Sequence, residues 1–278
     1  MSKRPIVALM YDFDKTLCTK DMQEYGYIES IGMKSSEFWK EVAEFTDSNQ
    51  MDNILAYMYK MVERARISQV PVKRTTFAEL GKKVEFFPGV LNWFTRINDF
   101  GESIGVRVEH YIVSSGIKEI IEGTDIFKEF KKVYACEFLY DYNDTIVWPK
   151  VAVNYTAKTQ FLFRINKGVL NIDTLSANKL NNYTPEKERR VPFKNMIYIG
   201  DGLTDVPCMK LVKSNGGVAI AVYDEGAGKA AAKELLKNNR VNFIAPADYS
   251  KNTEIEEIVK ATIRKIQAVT VLEQFEGD

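Results

Sequence analysis

Histidine and cysteine are scarce in this sequence of 278 residues, which contains one histidine, His110, and three cysteines. One histidine is too few for a zinc site built on histidines or for the two-histidine motif of zinc proteases. The cysteines are odd in number and widely spaced, without a Cys-x-x-Cys pair, which predicts reduced thiols in a cytoplasmic protein. Any catalysis would therefore depend on carboxylates, hydroxyls, lysines or a cysteine.

The sequence also lacks an excess of either charge and a long apolar run. It has 38 basic and 38 acidic side chains, so the formal net charge is zero. This balance argues against general binding to nucleic acids or anionic membranes, which needs clustered lysine and arginine. No apolar run approaches the roughly 20 residues of a membrane span. The apolar segment at residues 5–11 runs directly into Asp12, which indicates a buried strand and not a signal peptide.

Continuous apolar runs that end in small or acidic residues predict strands buried on both faces of a parallel sheet. We predict such strands at residues 6–11, 111–113, 196–199, 218–222 and 241–245. Helical patterns follow at residues 203–213, 227–238 and 253–275. Strands that alternate with helices predict a doubly wound α/β fold, in which ligands bind beyond the carboxyl ends of the strands.

Residues 17–85 differ from the rest, because they are rich in Met, Tyr, Glu and Lys and show little strand pattern. We interpret them as a helical insert placed directly after the first strand. The predicted domains are therefore a core of residues 1–16 and 86–278 and a small helical domain of residues 17–85. Within the core, residues 133–153 have the pattern of an antiparallel hairpin that turns at Asn143-Asp144.

Two carboxylates, Asp12 and Asp14, stand two residues apart where the first predicted strand ends, followed by Thr16. Side chains at i and i+2 leave an extended chain on the same side, so both can face one reacting group. Repulsion between neighbouring carboxylates separates their pKa values, so that one is ionised while the other carries a proton. The alternative is a solvated turn in which Thr16 caps a helix.

Two further polar clusters follow predicted strands. The segment from Gly200 to Asp205 is close to the Gly-x-Gly-x-x-Gly dinucleotide motif, but Asp205 replaces the third glycine, and carboxylates would repel a pyrophosphate. Asp201 and Asp205 instead suit a divalent cation such as Mg²⁺, which prefers oxygen ligands. The cluster Ser114-Ser115-Gly116 offers a hydroxyl and backbone N–H groups that could bind phosphate, although such a sequence is most often only a turn.

Together and in this order, the three clusters resemble the motifs of the haloacid dehalogenase (HAD) superfamily of phosphohydrolases. The resemblance spans the predicted core, which would be Rossmann-like, and the helical insert resembles the C1-type cap of phosphoserine phosphatases. The family's remaining motif is a single lysine. We assign it to Lys158, which opens a helical pattern, and keep Lys179 as the alternative.

The resemblance implies a Mg²⁺-dependent phosphatase, a phosphoric monoester hydrolase acting on a small phosphorylated metabolite. It implies that Asp12 is the nucleophile, that Asp14 is the general acid and base, and that Lys158 offsets charge around them. The phosphate-binding residues would be Ser114, Ser115 and Gly116, and the Mg²⁺ ligands would be Asp12, Asp14 (through its carbonyl), Asp201 and Asp205. Two alternatives use the same fold: a phosphotransferase or mutase with the same aspartyl-phosphate intermediate, and a non-catalytic ligand-binding protein.

The insert lacks one feature expected of an enzyme specific for phosphoserine. Such enzymes bind the amino acid through a carboxylate and an arginine of the cap. Asp21 could supply the carboxylate, but the predicted helix that begins near Asn53 has no arginine before Arg64. The sequence therefore does not favour phosphoserine as the substrate, and it predicts neither the leaving group nor the oligomeric state.

Overall fold

The computed structural model describes residues 4–275, and seven strands within them form a single sheet. The strands are β1 (Ile6–Tyr11), β2 (Arg107–Ile117), β3 (Phe130–Tyr140), β4 (Ile146–Val151), β5 (Met196–Gly200), β6 (Val218–Tyr223) and β7 (Phe243–Pro246). Their order across the sheet is β4-β3-β2-β1-β5-β6-β7, and all neighbours are parallel except β3 and β4. The predicted doubly wound, Rossmann-like α/β fold is confirmed.

The same described residues contain eleven α-helices. They are α1 (Tyr27–Ser30), α2 (Ser35–Asn49), α3 (Asn53–Ile67), α4 (Arg74–Gly81), α5 (Val90–Ser103), α6 (Lys118–Glu122), α7 (Ala157–Lys167), α8 (Thr174–Asn181), α9 (Val206–Ser214), α10 (Lys229–Lys237) and α11 (Glu254–Glu273). No helix of the described part of the chain is both long and apolar enough to cross a membrane.

Alternating side chains of β2 show that both faces of the sheet are covered. His110 is buried against the ring of Phe94 from α5 and bonds the hydroxyl of Tyr11. The next residue, Tyr111, points to the other face, where its hydroxyl accepts a hydrogen bond from Arg190. The apolar strands are therefore enclosed on two sides, as continuous hydrophobic runs predict.

The chain between β1 and α5 contains helices α1 to α4 and no strand in the described residues, as the composition of residues 17–85 predicts. The last of these helices, α4, packs directly against α6 of the core. A side chain at Gly81 could not be accommodated there, because its Cβ would lie 2.2 Å from the carbonyl oxygen of Ile120. The close contact therefore depends on glycine at this position.

The predicted hairpin is also present, as β3 and β4. Asp144 adopts a left-handed backbone conformation in the turn, and the carboxylate of Asp141 accepts the N–H groups of Asn143 and Thr145. Aspartate and asparagine favour such turns because their side chains bond the local backbone.

One predicted strand ends at the wrong place. We expected the strand to stop at Val113 and the cluster Ser114-Ser115-Gly116 to follow it, but β2 continues to Ile117. The pairing of β2 with β3 shifts register between Val113 and Ile117. The cluster is therefore an irregularity inside a strand, and such irregularities redirect side chains at functional sites.

Candidate active site

The three polar clusters meet at the carboxyl ends of three adjacent strands. β1 lies between β2 and β5, at the point where the chain reverses its direction of travel across the sheet. Beyond this edge lies a cavity of about 490 Å³, whose lining includes Asp12, Asp14, Ser114 and Asp201. Open α/β sheets bind ligands at this position.

The loop after β1 is shaped by its own backbone. The N–H of Asp12 continues the sheet by bonding the carbonyl of Ile199 at 2.9 Å. The backbone N–H groups of Thr16, Leu17 and Cys18 all bond the carbonyl of Phe13. Between them and Asp12, Lys15 adopts a left-handed backbone conformation with φ of 54°. The tight turn leaves the side chains of both aspartates, Asp12 and Asp14, in the lining of the cavity.

Three carboxylates lie close enough to share a cation. One oxygen from each of Asp12, Asp201 and Asp205 lies within 4.8 Å of the others. Burial, followed by repulsion from the neighbouring carboxylates, raises the pKa values of Asp12 and Asp201 above their ordinary range. A divalent cation would relieve this repulsion.

Lys158 is completely buried behind this group, near the start of α7. Its Nζ lies 3.2 Å from Oδ2 of Asp12 and 2.7 Å from Oδ1 of Asp205. Burial acts to lower the pKa of this lysine, but the two carboxylates outweigh it and raise the pKa above the ordinary value. Lys179 is exposed on α8. The structure therefore brings Lys158 into the site and leaves Lys179 outside it.

Asp205 is held by a residue that the sequence did not reveal. The hydroxyl of Tyr198 donates to Oδ1 of Asp205 at 2.6 Å, beside Lys158. The second oxygen, Oδ2, is buried and has no hydrogen-bond partner among the described residues. Tyr198 lies in the apolar run of β5, where a tyrosine is indistinguishable from an ordinary core residue, so no sequence signal pointed to it.

The serine cluster contributes Ser114 and Ser115 to the cavity lining. The Oγ of Ser114 is buried and accepts the N–H of Gly116 at 3.0 Å. The carbonyl of Ser115 accepts the hydroxyl of Tyr57 from α3 at 2.6 Å, which joins the helical insert to this segment. A Cβ at Gly116 would lie 2.1 Å from Cε of Met22 and 2.9 Å from Oδ2 of Asp14, so a side chain there would require Met22 to move.

Asp14 lies apart from the three carboxylates that could share a cation. Its Oδ1 accepts the N–H of Met22 at 2.8 Å. Burial raises the pKa of Asp14 well above its usual value, and repulsion from Asp21 and Asp12 adds to this effect. A carboxyl group in such surroundings can carry a proton near neutral pH.

The residues present fit a magnesium ion. Mg²⁺ prefers carboxylate and carbonyl oxygens and keeps several waters. Asp12, Asp201 and Asp205 supply three carboxylates, one of which has the unpartnered buried oxygen Oδ2 of Asp205. Such an oxygen costs free energy unless a ligand satisfies it.

The other wall of the cavity comes from the helical insert. Helix α2 contributes Trp39, Val42 and Thr46, and helix α3 contributes Ile54 and Tyr57. A substrate bound at the carboxylates would therefore contact the insert as well as the core.

Comparison with known proteins shows the family of this chain. Residues 9–210 match the family model described as haloacid dehalogenase-like hydrolase, so the chain belongs to that family. An uncharacterized protein of Borreliella burgdorferi is 32% identical over 278 residues, covering 90% of this chain and 94% of that protein.

Solved structures show the same fold at low sequence identity. A phosphoserine phosphatase solved as a phospho-aspartyl intermediate analogue superposes with a TM-score of 0.57 and 15% identity, over 92% of this chain and 99% of that one. A phosphoserine phosphohydrolase-like protein from Francisella tularensis gives a TM-score of 0.51 and 18% identity, over 86% and 94% of the two chains.

Proposed function

We propose that this protein is a Mg²⁺-dependent phosphatase that hydrolyses a small phosphorylated metabolite through an aspartyl-phosphate intermediate on Asp12. The observation that carries the proposal is the position of Asp12, which lies on the cavity wall with its Oδ2 3.2 Å from the buried ammonium group of Lys158. The phospho-aspartyl form of the similar phosphoserine phosphatase agrees with this chemistry.

In the first step, a carboxylate oxygen of Asp12 attacks phosphorus and the bond from phosphorus to the substrate's ester oxygen breaks. Asp14, whose raised pKa suits a proton donor, transfers a proton to the departing oxygen. The alcohol leaves, and Asp12 carries the phosphoryl group.

In the second step, Asp14 takes a proton from a water molecule as the water oxygen attacks phosphorus. The bond between phosphorus and the oxygen of Asp12 breaks, which regenerates the carboxylate and releases inorganic phosphate. Lys158 offsets the negative charge of Asp12 throughout. The hydroxyl of Ser114, which accepts the N–H of Gly116, donates to a phosphate oxygen beside the backbone of Ser115. Phosphoryl transfer depends mainly on such positioning and charge stabilisation.

The Mg²⁺ ligands in this proposal are the carboxylates of Asp12, Asp201 and Asp205 and the backbone carbonyl of Asp14. When bound, the ion supplies positive charge that neutralises the phosphate oxygens and the crowded carboxylates.

The insert, residues 17–85, would serve as a cap domain over the core of residues 1–16 and 86–278. Trp39 and Tyr57 of the insert line the cavity, and the hydroxyl of Tyr57 bonds the carbonyl of Ser115. Closure of this wall excludes water other than the reacting molecule, as lids do in other enzymes.

Hydrolysis of an aryl phosphate by the purified protein tests the proposal, with Mg²⁺ and with EDTA. We expect metal-dependent phosphate release that Asp12→Asn abolishes, while Asp99→Asn, an exposed change on α5, retains it. Appreciable turnover by Asp12→Asn would contradict the assignment of the nucleophile.

A further inference from the structure

The cavity wall formed by the insert carries polar atoms that have no partner. Three buried atoms of lining residues from the insert make no hydrogen bond within residues 4–275: Oε1 of Gln23, Nε1 of Trp39 and Oγ1 of Thr46. Oγ of Ser115, on β2, is another such atom in the lining. Gln23 is only 2% exposed. Buried polar atoms are normally bonded, and an unpartnered set around a cavity indicates a ligand that completes it.

These atoms differ in what they require. The indole N–H of Trp39 can only donate, the carbonyl oxygen of Gln23 can only accept, and the hydroxyl of Thr46 can do both. A ligand that satisfies all three must both donate and accept hydrogen bonds. Hydroxyl groups do this, whereas an ammonium group donates only and a carboxylate accepts only.

The charges of the cavity argue further against a ligand that carries a carboxylate. Among the described residues that line it, Lys15 is the only cation, and its Nζ is held by the carboxylate of Asp21 at 2.6 Å. The lining also contains the carboxylate of Asp47, on the insert. A second carboxylate brought in by a substrate would find no free cation there.

Two of the three cations of α3, Lys60 and Arg64, are also engaged, and the third, Arg66, is exposed and does not line the cavity. Arg64 donates through Nε to Glu41 at 2.8 Å, and Lys60 lies 3.0 Å from Glu41 and bonds Glu63 as well. Neither Arg64 nor Lys60 lines the cavity. Lys60 and Arg64 instead join α3 to α2 through Glu41.

We propose that the leaving group is an uncharged alcohol with several hydroxyl groups, which Gln23, Trp39 and Thr46 recognise, and that phosphomonoesters with a carboxylate are poor substrates. This inference rests on the proposed phosphatase function. In this inference, the cavity wall formed by the insert selects the substrate. The residues around the carboxylate cluster act on the phosphate group, which all phosphomonoesters share.

Sets of phosphomonoesters matched in chain length test the inference. The three-carbon set is glycerol 3-phosphate, 3-phosphoglycerate and propyl phosphate, and the six-carbon set is sorbitol 6-phosphate, 6-phosphogluconate and hexyl phosphate. In at least one set we expect kcat/KM for the polyol ester to exceed that for the carboxylate ester by on the order of 10²-fold, because an unpaired carboxylate is rejected. It should also exceed that for the alkyl ester by roughly tenfold.

Substitutions in the cavity wall test which residues cause the preference for polyol esters over alkyl esters. Trp39→Phe keeps the ring and removes the N–H, and Thr46→Val keeps the shape and removes the hydroxyl. Each should lower the ratio of polyol to alkyl kcat/KM by about three- to tenfold, as expected for one lost hydrogen bond. Trp148→Phe is the control, because Trp148 is 70% exposed on β4 and does not line the cavity. This variant should keep the wild-type ratio.

The outcomes separate this inference from the proposed function. If alkyl esters are hydrolysed with Mg²⁺ but carboxylate esters match or exceed the polyols, the inference fails and the phosphatase function stands. The inference also fails if phosphoethanolamine exceeds the polyols tenfold, or if both cavity variants keep the wild-type ratio. If none of the esters is hydrolysed, both the inference and the proposed function fail.

Calorimetric titration of Asp12→Asn with sorbitol 6-phosphate and 6-phosphogluconate measures the preference by binding alone. Equal affinity for the two esters would contradict the inference.

Discussion

At the scale of single residues, Lys158 explains how crowded carboxylates can coexist in a buried site. It is the cation that contacts both Asp12 and Asp205, and it is fully buried between them. A buried ion pair of this kind gives little net stability by itself, but removal of one partner leaves uncompensated charge.

Replacement of Lys158 by methionine should therefore impair both activity and stability. We expect kcat to fall by at least 10²-fold and the free energy of unfolding to fall by about 3–5 kcal/mol. Steady-state kinetics and urea denaturation measure the two effects. Lys179→Met is the matched control, since Lys179 is exposed on α8. If the two variants had equal kcat and equal free energy of unfolding, the proposed role of Lys158 would be contradicted.

The residues of the site differ in how visible they are in the sequence. Asp12, Asp14, Asp201 and Asp205 stand out because paired acidic residues directly after apolar runs have no structural explanation as core residues. Tyr198 and Tyr57 could not be found in this way: each is buried, and its role depends on a hydroxyl contact made across the fold. Such contacts follow from packing, which a single sequence does not display.

At the scale of elements, the site depends on how α3 meets β2. The hydroxyl of Tyr57 bonds the carbonyl of Ser115, at the place where the pairing of β2 with β3 shifts register. We predicted a strand that ends at Val113, because serine and glycine usually mark a turn; the extension to Ile117 is possible because side chains of the insert satisfy part of the irregular backbone. The N–H of Ile117, for example, lies 2.9 Å from Sδ of Met22.

Tyr57→Phe tests this connection, because it removes one hydroxyl and keeps the ring. We expect kcat/KM to fall by roughly tenfold as the segment from Ser114 to Gly116 loses its support, with a loss of about 1 kcal/mol in stability. Tyr59→Phe, on the same helix but 47% exposed, is the control. A Tyr57→Phe enzyme with wild-type kinetics would show that the contact does not position the segment.

At the scale of the whole chain, the candidate site lies at the carboxyl edge of the sheet. Away from it, a charged network around Glu109 joins segments that are distant in the sequence. Glu109 on β2 is bonded by Lys131 on β3 and by Arg190 from the long connection before β5. Burial alone would raise the pKa of Glu109, but hydrogen bonds from Arg190, Lys131 and Tyr111 lower it to about 2. Arg190 therefore ties this connection to the sheet.

The lowered pKa makes a prediction about stability and pH. Because the folded protein holds Glu109 ionised more strongly than the unfolded chain does, its contribution is complete above the ordinary pKa of about 4.3 and is lost as the pH falls toward 2. Glu109→Gln should lower the free energy of unfolding by about 1–3 kcal/mol at pH 7. The difference from wild type, measured by urea denaturation, should shrink below pH 4.5. A difference independent of pH would rule out the ionised carboxylate as its source.

Mg²⁺ should stabilise the whole fold, because a ligand that binds only the folded state shifts the unfolding equilibrium. At about 100 times its Kd the gain is roughly 2.7 kcal/mol, which raises Tm by several degrees. Thermal unfolding with Mg²⁺ and with EDTA measures the shift. Asp201→Asn should reduce it strongly and Asp99→Asn should preserve it. No shift in the wild-type protein at any Mg²⁺ concentration would argue against the metal site.

Chemical trapping of the intermediate tests whether Asp12 becomes phosphorylated, as we propose. Borohydride reduces an acyl phosphate on aspartate to the alcohol of homoserine. The protein is quenched during turnover of a phosphomonoester, treated with borohydride and mapped by peptide mass spectrometry. We predict homoserine at position 12, only when both substrate and Mg²⁺ are present. Turnover without modification at position 12, or modification at another aspartate, would contradict the mechanism.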